Sequence, residues 1–580
     1  MEMLNIKING MPFSVEKNTT ILEACQKFGI KIPTLCFLKD INEIGACRMC
    51  LCEVKGARSL VAACVYPIDR EGTEIFTNTK KIQESRKTTL ELILSNHEKK
   101  CLSCERSGNC ELQQMCKDFG VEENDYLEGI HTECQEDTST LYLERNNKKC
   151  ILCRRCVAAC RDQYVGVIGA NNRGFDTVIG CAFNKELADV SCVGCGQCTA
   201  VCPTGALVEK DSTDLAFDAI QDPTKTVIVH TAPAIRATLG ECFGMPIGTN
   251  VKGKMVSALR RLGFDKVFDT DFGADLTIIE EANEFIGRVQ NGGVLPMITS
   301  CSPGWVKFCE HYYPDLIPNL STCKSPQQMT GAIIKSYYAE KEGIDPKDIV
   351  VVSVMPCIAK KFEIKRDNQG QGDIVDVDIS ITTRELAKMI KRAGIEFTSL
   401  PDEEFDPALG ITTGAGVIFG ATGGVMEAAL RTAADTLTGE DLKEIDYNDV
   451  RGTQGIKYAE YDVAGMKVKV AVASGLKNAA VILDQIRSGE CDAQFVEIMC
   501  CPGGCVNGGG QPIQDGQTRN FTDLKALRAA ALYEEDANLP LRKSHESPII
   551  KKLYDEYLGE AGSHKAHELL HTTYVARNKF

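Results

Sequence analysis

The first 79 residues alternate apolar and polar positions in short segments, Leu4-Asn5-Ile6-Lys7-Ile8 and Glu74-Ile75-Phe76-Thr77. That period predicts strands with one buried face. A helical pattern near Ile21–Phe28 lies between them, so a small β-rich module is expected. Residues 80 to about 135 change character, with a charged helical run from Lys80 to Leu94 followed by a Cys/His-rich stretch. Between about 139 and 210 two dense cysteine runs resemble each other and form an internal repeat. From Thr226 onward, unbroken apolar runs alternate with longer helical patterns. Examples are Val227-Ile228-Val229-His230, Val294-Leu295-Pro296-Met297-Ile298, Ile349-Val350-Val351-Val352-Ser353-Val354 and Phe495-Val496-Glu497-Ile498-Met499. Continuous runs of this kind predict parallel strands buried on both faces of an α/β fold.

Composition narrows the class. At about 150 residues per domain, 580 residues predict roughly four domains. With 43% apolar and 25% charged residues the chain is an ordinary globular one. No apolar run reaches the length of a membrane span, and Met1-Glu2-Met3-Leu4-Asn5 lacks the basic flank and apolar stretch of a secretory signal, so a cytoplasmic protein without membrane insertion is expected. The net charge of −15 argues against nucleic acid. The 29 cysteines change the picture most. Clustered thiols kept reduced in a large chain point to soft metal ligation, and at this number to iron–sulfur clusters.

The strongest motif is Cys150-x2-Cys153-x2-Cys156-x3-Cys160, repeated as Cys192-x2-Cys195-x2-Cys198-x3-Cys202-Pro203. In this spacing three cysteines wrap one [4Fe–4S] cube and the fourth reaches the other. Two cubes are expected, one on Cys150, Cys153, Cys156 and Cys202, the other on Cys192, Cys195, Cys198 and Cys160. Paired zinc ribbons do not normally repeat this pattern with a Cys-Pro ending. Upstream, Cys36, Cys47, Cys50 and Cys64 offer four ligands in the β-rich module, similar to a plant-type [2Fe–2S] ferredoxin with altered spacing. Cys25 and Cys52 read as buried structural thiols. Between these regions, His97-x3-Cys101-x2-Cys104-x5-Cys110 suggests a third accessory [4Fe–4S] cluster with His97 as its fourth ligand, Cys116 and Cys134 being alternatives. Lys148-Lys149 and Arg154-Arg155 bracket the first dense run, either as a basic rim that steers an acidic ferredoxin or as a solvated face.

A relay of clusters is not a catalyst, so the chemistry must lie beyond residue 210. Three segments there each follow an apolar run: Thr299-Ser300-Cys301-Ser302-Pro303-Gly304-Trp305, Met355-Pro356-Cys357-Ile358-Ala359-Lys360-Lys361-Phe362-Glu363, and Glu497-Ile498-Met499-Cys500-Cys501-Pro502-Gly503-Gly504-Cys505 leading to Gly508-Gly509-Gly510-Gln511-Pro512. Ligands gather beyond the carboxyl ends of strands in open α/β sheets, so the three are expected to meet at one pocket. These motifs resemble the signatures of [FeFe]-hydrogenases, and the cluster order resembles the long, multi-cluster members of that family.

The resemblance implies an H-cluster, a [4Fe–4S] cube joined through a cysteine sulfur to a two-iron site with CO, CN⁻ and a bridging azadithiolate. It implies Cys357 and Cys501 as cube ligands, Cys505 as the bridging cysteine, and Lys360 as hydrogen-bond donor to a cyanide. Met355, Met499, Pro233 and Gln327 would line the two-iron site. The family's first motif usually reads Thr-Ser-Cys-Cys-Pro, the first cysteine passing protons and the second ligating the cube; here Ser302 replaces the second. The fourth cube ligand is therefore open between the Ser302 oxygen, a neighbouring thiol (Cys301, or Cys500) and an unusual ligand, with Cys301 kept as proton relay. The resemblance gives a proton path through Cys301, Glu281, Ser321 and Glu284; on spacing alone, Glu281 and Glu284 simply share a helix face.

The implied enzyme reversibly reduces protons to H₂ with electrons from ferredoxin. The alternatives are the catalytic subunit of an NAD(P)-linked complex, electron-bifurcating types included, or a non-catalytic H₂-sensing or scaffold relative. A pure electron-relay subunit is disfavoured by the three motifs. Neither Gly423-Gly424 nor Gly508-Gly509-Gly510 has nucleotide-fingerprint spacing, so a flavin or nicotinamide would need a partner subunit. The two-iron site would need maturation proteins. The expected architecture is a multidomain α+β chain: a β-grasp [2Fe–2S] ferredoxin-like domain over 1–79, a His/Cys cluster domain over 80–138, a bacterial 2[4Fe–4S] ferredoxin-like domain over 139–210, and a two-lobed α/β H-cluster domain with parallel sheets over 211–580.

Overall fold

Alternation at Leu4, Ile6 and Ile8 places all three in a core, and the strand that carries them, Met3–Ile8, turns back into Met11–Glu16 through Asn9 and Gly10, both at positive φ. Two such residues give the hairpin turn whose twist matches the strands. A computed structural model gives the architecture and describes residues 2–121, 136–439, 441, 443, 445–463 and 466–579. In the N-terminal region Met3–Ile8 pairs in parallel with Glu74–Phe76, which continues through Leu51–Val54 to Val61–Ala62, five strands in all. The helix Ile21–Lys27 covers this sheet, its start closed by a capping box between Thr20 and Glu23. Cys25 and Cys52 lie in the core between sheet and helix.

The helix Lys80–Ser95 leads to the Cys101–Cys110 loop and the helix Glu111–Asp118. Cys134, the alternative ligand, lies outside the described residues. In the repeat, the helices Arg155–Asp162 and Gln197–Ala200 each follow a left-handed residue, Arg154 and Gly196, so the two halves share backbone as well as spacing. Arg155 does not belong to a basic rim: it is buried and its guanidinium meets Glu111 at 2.7 Å, because the preceding left-handed residue turns it inward.

The remainder holds two four-stranded sheets. The first is wholly parallel, ordered Lys266–Asp269, Thr226–Thr231, Ile349–Met355, Ile379–Thr382. The second runs Met297–Ile298, Phe495–Met499, Met466–Ser474, with Ile456–Val463 added antiparallel at its edge. The run from Val294 contributes only two residues of strand, since Pro296 has no N–H to donate to a ladder. The helix Asp271–Asn291 packs against both Pro326–Ile333 and Gly424–Thr438. The C-terminal helix His564–Leu570 buries Ala566, Leu569 and Leu570 in the same core as Phe272 and Leu276 of that long helix.

A buried ion cluster fixes one end of the first sheet. Arg236 meets Asp269 at 2.8 Å, Asp271 at 3.0 Å and Glu535 at 3.0 Å, joining a strand end, a helix start and the helix Leu524–Asn538. Among the described residues no helix is long and apolar enough to cross a membrane.

Candidate active site and iron–sulfur sites

The three motif segments leave the carboxyl ends of strands in the two sheets: Thr299 follows Met297–Ile298, Pro356 follows Ile349–Met355, and Cys500 follows Phe495–Met499. They meet at one cavity of about 80 Å³. A single water needs only ~10–15 Å³ on this measure, so the space suits a larger group. Cys357, Cys501 and Cys505 line it together with Cys301, Ser302 and Cys500. Pro233, Gln327, Met355, Met499 and Lys360 are also in its wall. Sequence reasoning missed three further wall residues, Thr270, Ala274 and Phe419. They come from the helix after Lys266–Asp269 and from a short Gly-rich helix, and neither carries a motif.

Lys360 is held from three sides. Its ammonium donates to Ser325 Oγ and Glu363 Oε2, each at 2.8 Å, and to the Cys301 carbonyl at 3.2 Å. Glu363 also accepts from Gln327 Nε2 at 2.8 Å, so Gln327 serves the lysine's counter-ion as well as the wall. The Lys360-x2-Glu363 spacing on one helical turn was the available signal for this pair.

Glu281 and Glu284 lie on the helix Asp271–Asn291. Glu281 is buried, and neither carboxylate oxygen has a hydrogen-bond partner. Burial pushes its carboxyl up to about 8, an increase that the nearby Ser321 hydroxyl offsets only in part. Burial first, and the charge of Glu281 second, also raise the Cys301 thiol well above its ordinary range. Ser321 Oγ donates to Glu284 Oε2 at 3.0 Å, and Arg288 grips Glu284 at 2.6 Å. Cys323, His571 and Glu284 bring sulfur, nitrogen and oxygen within 4.8 Å of one another, a grouping with no sequence signal because His571 comes from the far C-terminus.

Of the accessory ligands, Cys50 and Cys64 approach to 3.3 Å between sulfurs, and the Cys47 amide donates to Cys36 Sγ at 3.5 Å. This contact places a backbone N–H donor beside a sulfur, which tunes a cluster held there. Cys101, Cys104 and Cys110 follow His97 in a short loop. His97 Nδ1 is buried with no partner, and burial holds the imidazole near 4, neutral. A neutral imidazole with a free lone pair is what a metal requires. Cys150, Cys153, Cys156 and Cys202 line one small cavity. The thiols acting most strongly on Cys198 are Cys195, Cys192 and Cys160, the crossed second set.

The sites form a sequence in space. Asn42 Nδ2 bridges the carbonyls of Cys36 and Cys153 at 2.7 and 3.1 Å. Arg106, between Cys104 and Cys110, donates to the Cys202 carbonyl at 2.8 Å. Both outer sites therefore abut the Cys150 set. At the other end, a Cβ on Gly509 would lie 2.5 Å from the Cys195 carbonyl, so the Cys192 set touches the loop of the third motif. At Gly424 no phosphate position exists: the Glu497 carboxylate accepts the N–H groups of Gly423 and Met426 at 2.6 and 2.8 Å, closing that helix N-terminus.

Residues 225–509 match the family model of the iron only hydrogenase large subunit, C-terminal domain, and 522–577 that of the iron hydrogenase small subunit. Residues 1–80, 86–125 and 149–206 match, in turn, a 2Fe-2S iron-sulfur cluster binding domain, the NADH-ubiquinone oxidoreductase-G iron-sulfur binding region and a 4Fe-4S dicluster domain. The chain is 49% identical to the NADP-reducing hydrogenase subunit HndD of Solidesulfovibrio fructosivorans over the whole of both chains. It is 45% identical to iron hydrogenase 1 of Clostridium pasteurianum over 99% of this chain and all of that one. A solved structure of the [FeFe]-hydrogenase HydA1 from Chlamydomonas reinhardtii superposes with a TM-score of 0.57 at 43% identity, covering 64% of this chain and all of that one. With a thiol-lined cavity at the carboxyl ends of two sheets and a line of cysteine sites leading to it, the molecule is an iron–sulfur oxidoreductase acting on hydrogen. It belongs to the [FeFe]-hydrogenase family, among the long members with ferredoxin-like N-terminal domains.

Proposed function

We propose that the chain reversibly reduces protons to H₂ at an H-cluster held by Cys357, Cys501 and Cys505, with one [2Fe–2S] and three accessory [4Fe–4S] clusters feeding it. The observation that carries this reading is that the three motif cysteines line one cavity beside the Cys192 set. The donor sets fit the groups: soft thiols in the cavity, an unpartnered neutral imidazole at His97 and crossed sets of four thiols in the repeat. When bound, the H-cluster supplies the two-electron chemistry that interconverts protons and H₂.

The chain's own residues then have these roles. Cys357, Cys501 and Cys505 would hold the H-cluster through their sulfurs. Lys360 presents a cation to a cyanide ligand, and its three present acceptors fix where that cation sits. Met355, Met499, Pro233 and Gln327 enclose the two-iron site and exclude water. In proton reduction Cys301 gives up its proton to the site and is reprotonated by Glu281, whose neutral form at pH 7 holds a proton in a dry site. Ser321 and Glu284 return a proton to Glu281 from outside. The outer sites, on Cys36, Cys47, Cys50 and Cys64 and on His97, Cys101, Cys104 and Cys110, would hold clusters at which electrons could enter. The Cys150 and Cys192 sets would hold two cubes between them and the cavity, in units spanning 1–79, 80–138, 139–210 and 211–580.

Reduced thiols in this number favour the cytoplasm. The electron partner is ferredoxin. A second reading, a subunit that works with a flavin- and NAD(P)-binding partner, is favoured by the full-length identity to an NADP-reducing hydrogenase subunit. In both, maturation proteins deliver the two-iron site. Infrared spectroscopy of the matured chain tests the function: CO and CN⁻ bands with H₂ evolution are expected, and their absence after maturation overturns it. Reduction of NAD(P)⁺ by the isolated chain would contradict the reading that a flavin or nicotinamide needs a partner subunit.

A further inference from the structure

Three thiols at motif positions leave the cube one ligand short, because Ser302 stands where the family has a cysteine. The same wall offers another thiol. Cys500 is buried and lines the cavity beside Cys501. Its sulfur lies over the first turn of the helix Pro303–Tyr312, which begins at Ser302: a Cβ on Gly304 would come within 2.7 Å of Cys500 Sγ. Ser302 Oγ accepts the Cys500 backbone N–H at 3.2 Å, so residues 302 and 500 touch and the serine oxygen already has a donor.

The other candidate thiol lies on a different side. Cys301 packs with Ala274, Ile278, Phe419, Met499 and Cys505, next to the helix that carries Glu281. Cys500 packs with Cys501, Cys195, Val193 and Trp305, on the side where the accessory sites end. The cube has to lie between the accessory sites and the two-iron site, because it passes electrons from one to the other.

On the H-cluster reading, we infer that Cys500 is the fourth cube ligand of this chain. Ser302 is a positioning residue, its hydroxyl oxygen holding the Cys500 amide. The missing cysteine of the first motif is thus replaced by one in the third, across the contact between the two loops. Ligation converts the Cys500 thiol to an iron-bound thiolate and releases one proton, with no change of oxidation state. Thiolate is also the softer donor and suits iron–sulfur better than a serine oxygen.

The experiment compares full-length wild type with Cys500→Ala, Ser302→Ala, Cys357→Ala and the double variant Ser302→Cys/Cys500→Ala. All are made without the two-iron maturation proteins, so that cubes alone are scored. Iron and sulfide per chain and EPR of the reduced protein are the readouts, with accessory-cluster signals reporting folding. Cys500→Ala is expected to lose one cube's worth of iron or to hold a three-iron cluster. Ser302→Ala should keep the wild-type cube signal, and the double variant should recover it by restoring the family pattern. A Cys500→Ala protein with wild-type iron and an unchanged cube signal, while Cys357→Ala loses the cube, overturns the Cys500 assignment alone. No loss of iron in Cys357→Ala overturns the H-cluster reading beneath it.

Discussion

Ser321 donates to Glu284 across 3.0 Å, while one turn earlier on the same helix the buried carboxyl of Glu281 has no hydrogen-bond partner. A buried acid with its proton retained and no partner to hold it is a costly arrangement for packing alone. It suits a proton station between a dry cavity and a hydrogen-bonded exit.

Glu281→Gln keeps the shape and removes the titrating group. Turnover should fall by about 10²–10⁴-fold, the usual worth of a positioned acid–base group. Iron content and the infrared bands of the matured variant should not change. Turnover near wild type discards the path.

The same residue makes stability depend on pH. Its carboxyl titrates near 8 in the folded chain and near the ordinary 4.5 when unfolded. The folded state therefore binds more protons between those values, and the contribution of Glu281 to stability is lost as pH rises through them. The Gln variant lacks this slope. Its melting temperature relative to wild type should be higher at pH about 8.5 than at pH about 6, measured anaerobically in parallel.

Replacing the neutral His97 imidazole by an anionic thiolate adds negative charge at the outer cluster. His97→Cys should retain that cluster and shift its midpoint potential to more negative values, as followed by an EPR redox titration. An unchanged midpoint removes His97 from the ligand set.

Arg236 is the shared cation of the buried Asp269 and Asp271 and of Glu535, which also meets Lys252 at 3.1 Å. Arg236→Met leaves Asp269 and Asp271 without their cation and should cost about 3–5 kcal/mol, seen as a lower melting temperature and soluble yield.

The unbroken runs at Val227, Ile349 and Phe495 were readable as buried parallel strands, because a strand covered on both faces needs no alternation. Val294 misled in length, since Pro296 cannot join a ladder. Arg155 was expected at the surface, on a basic rim or a solvated face, because spacing does not show which way a left-handed turn directs the next side chain.

The spacing of the cysteines along the chain was enough to group the repeat's thiols into two expected sets, because a cluster's size limits how far apart neighbouring ligands stand; the three motif segments stood out by their resemblance to the [FeFe]-hydrogenase signatures. Long-range packing decided what no local pattern contains. It brought Cys500 to Ser302, put Gln327 on the counter-ion of Lys360, and delivered His571 from the C-terminus to Glu284 and Cys323. It also decided that Glu281 is dry and Glu284 is not, although both stand on one helix face. Burial depends on everything packed around a side chain, and only the folded chain supplies that.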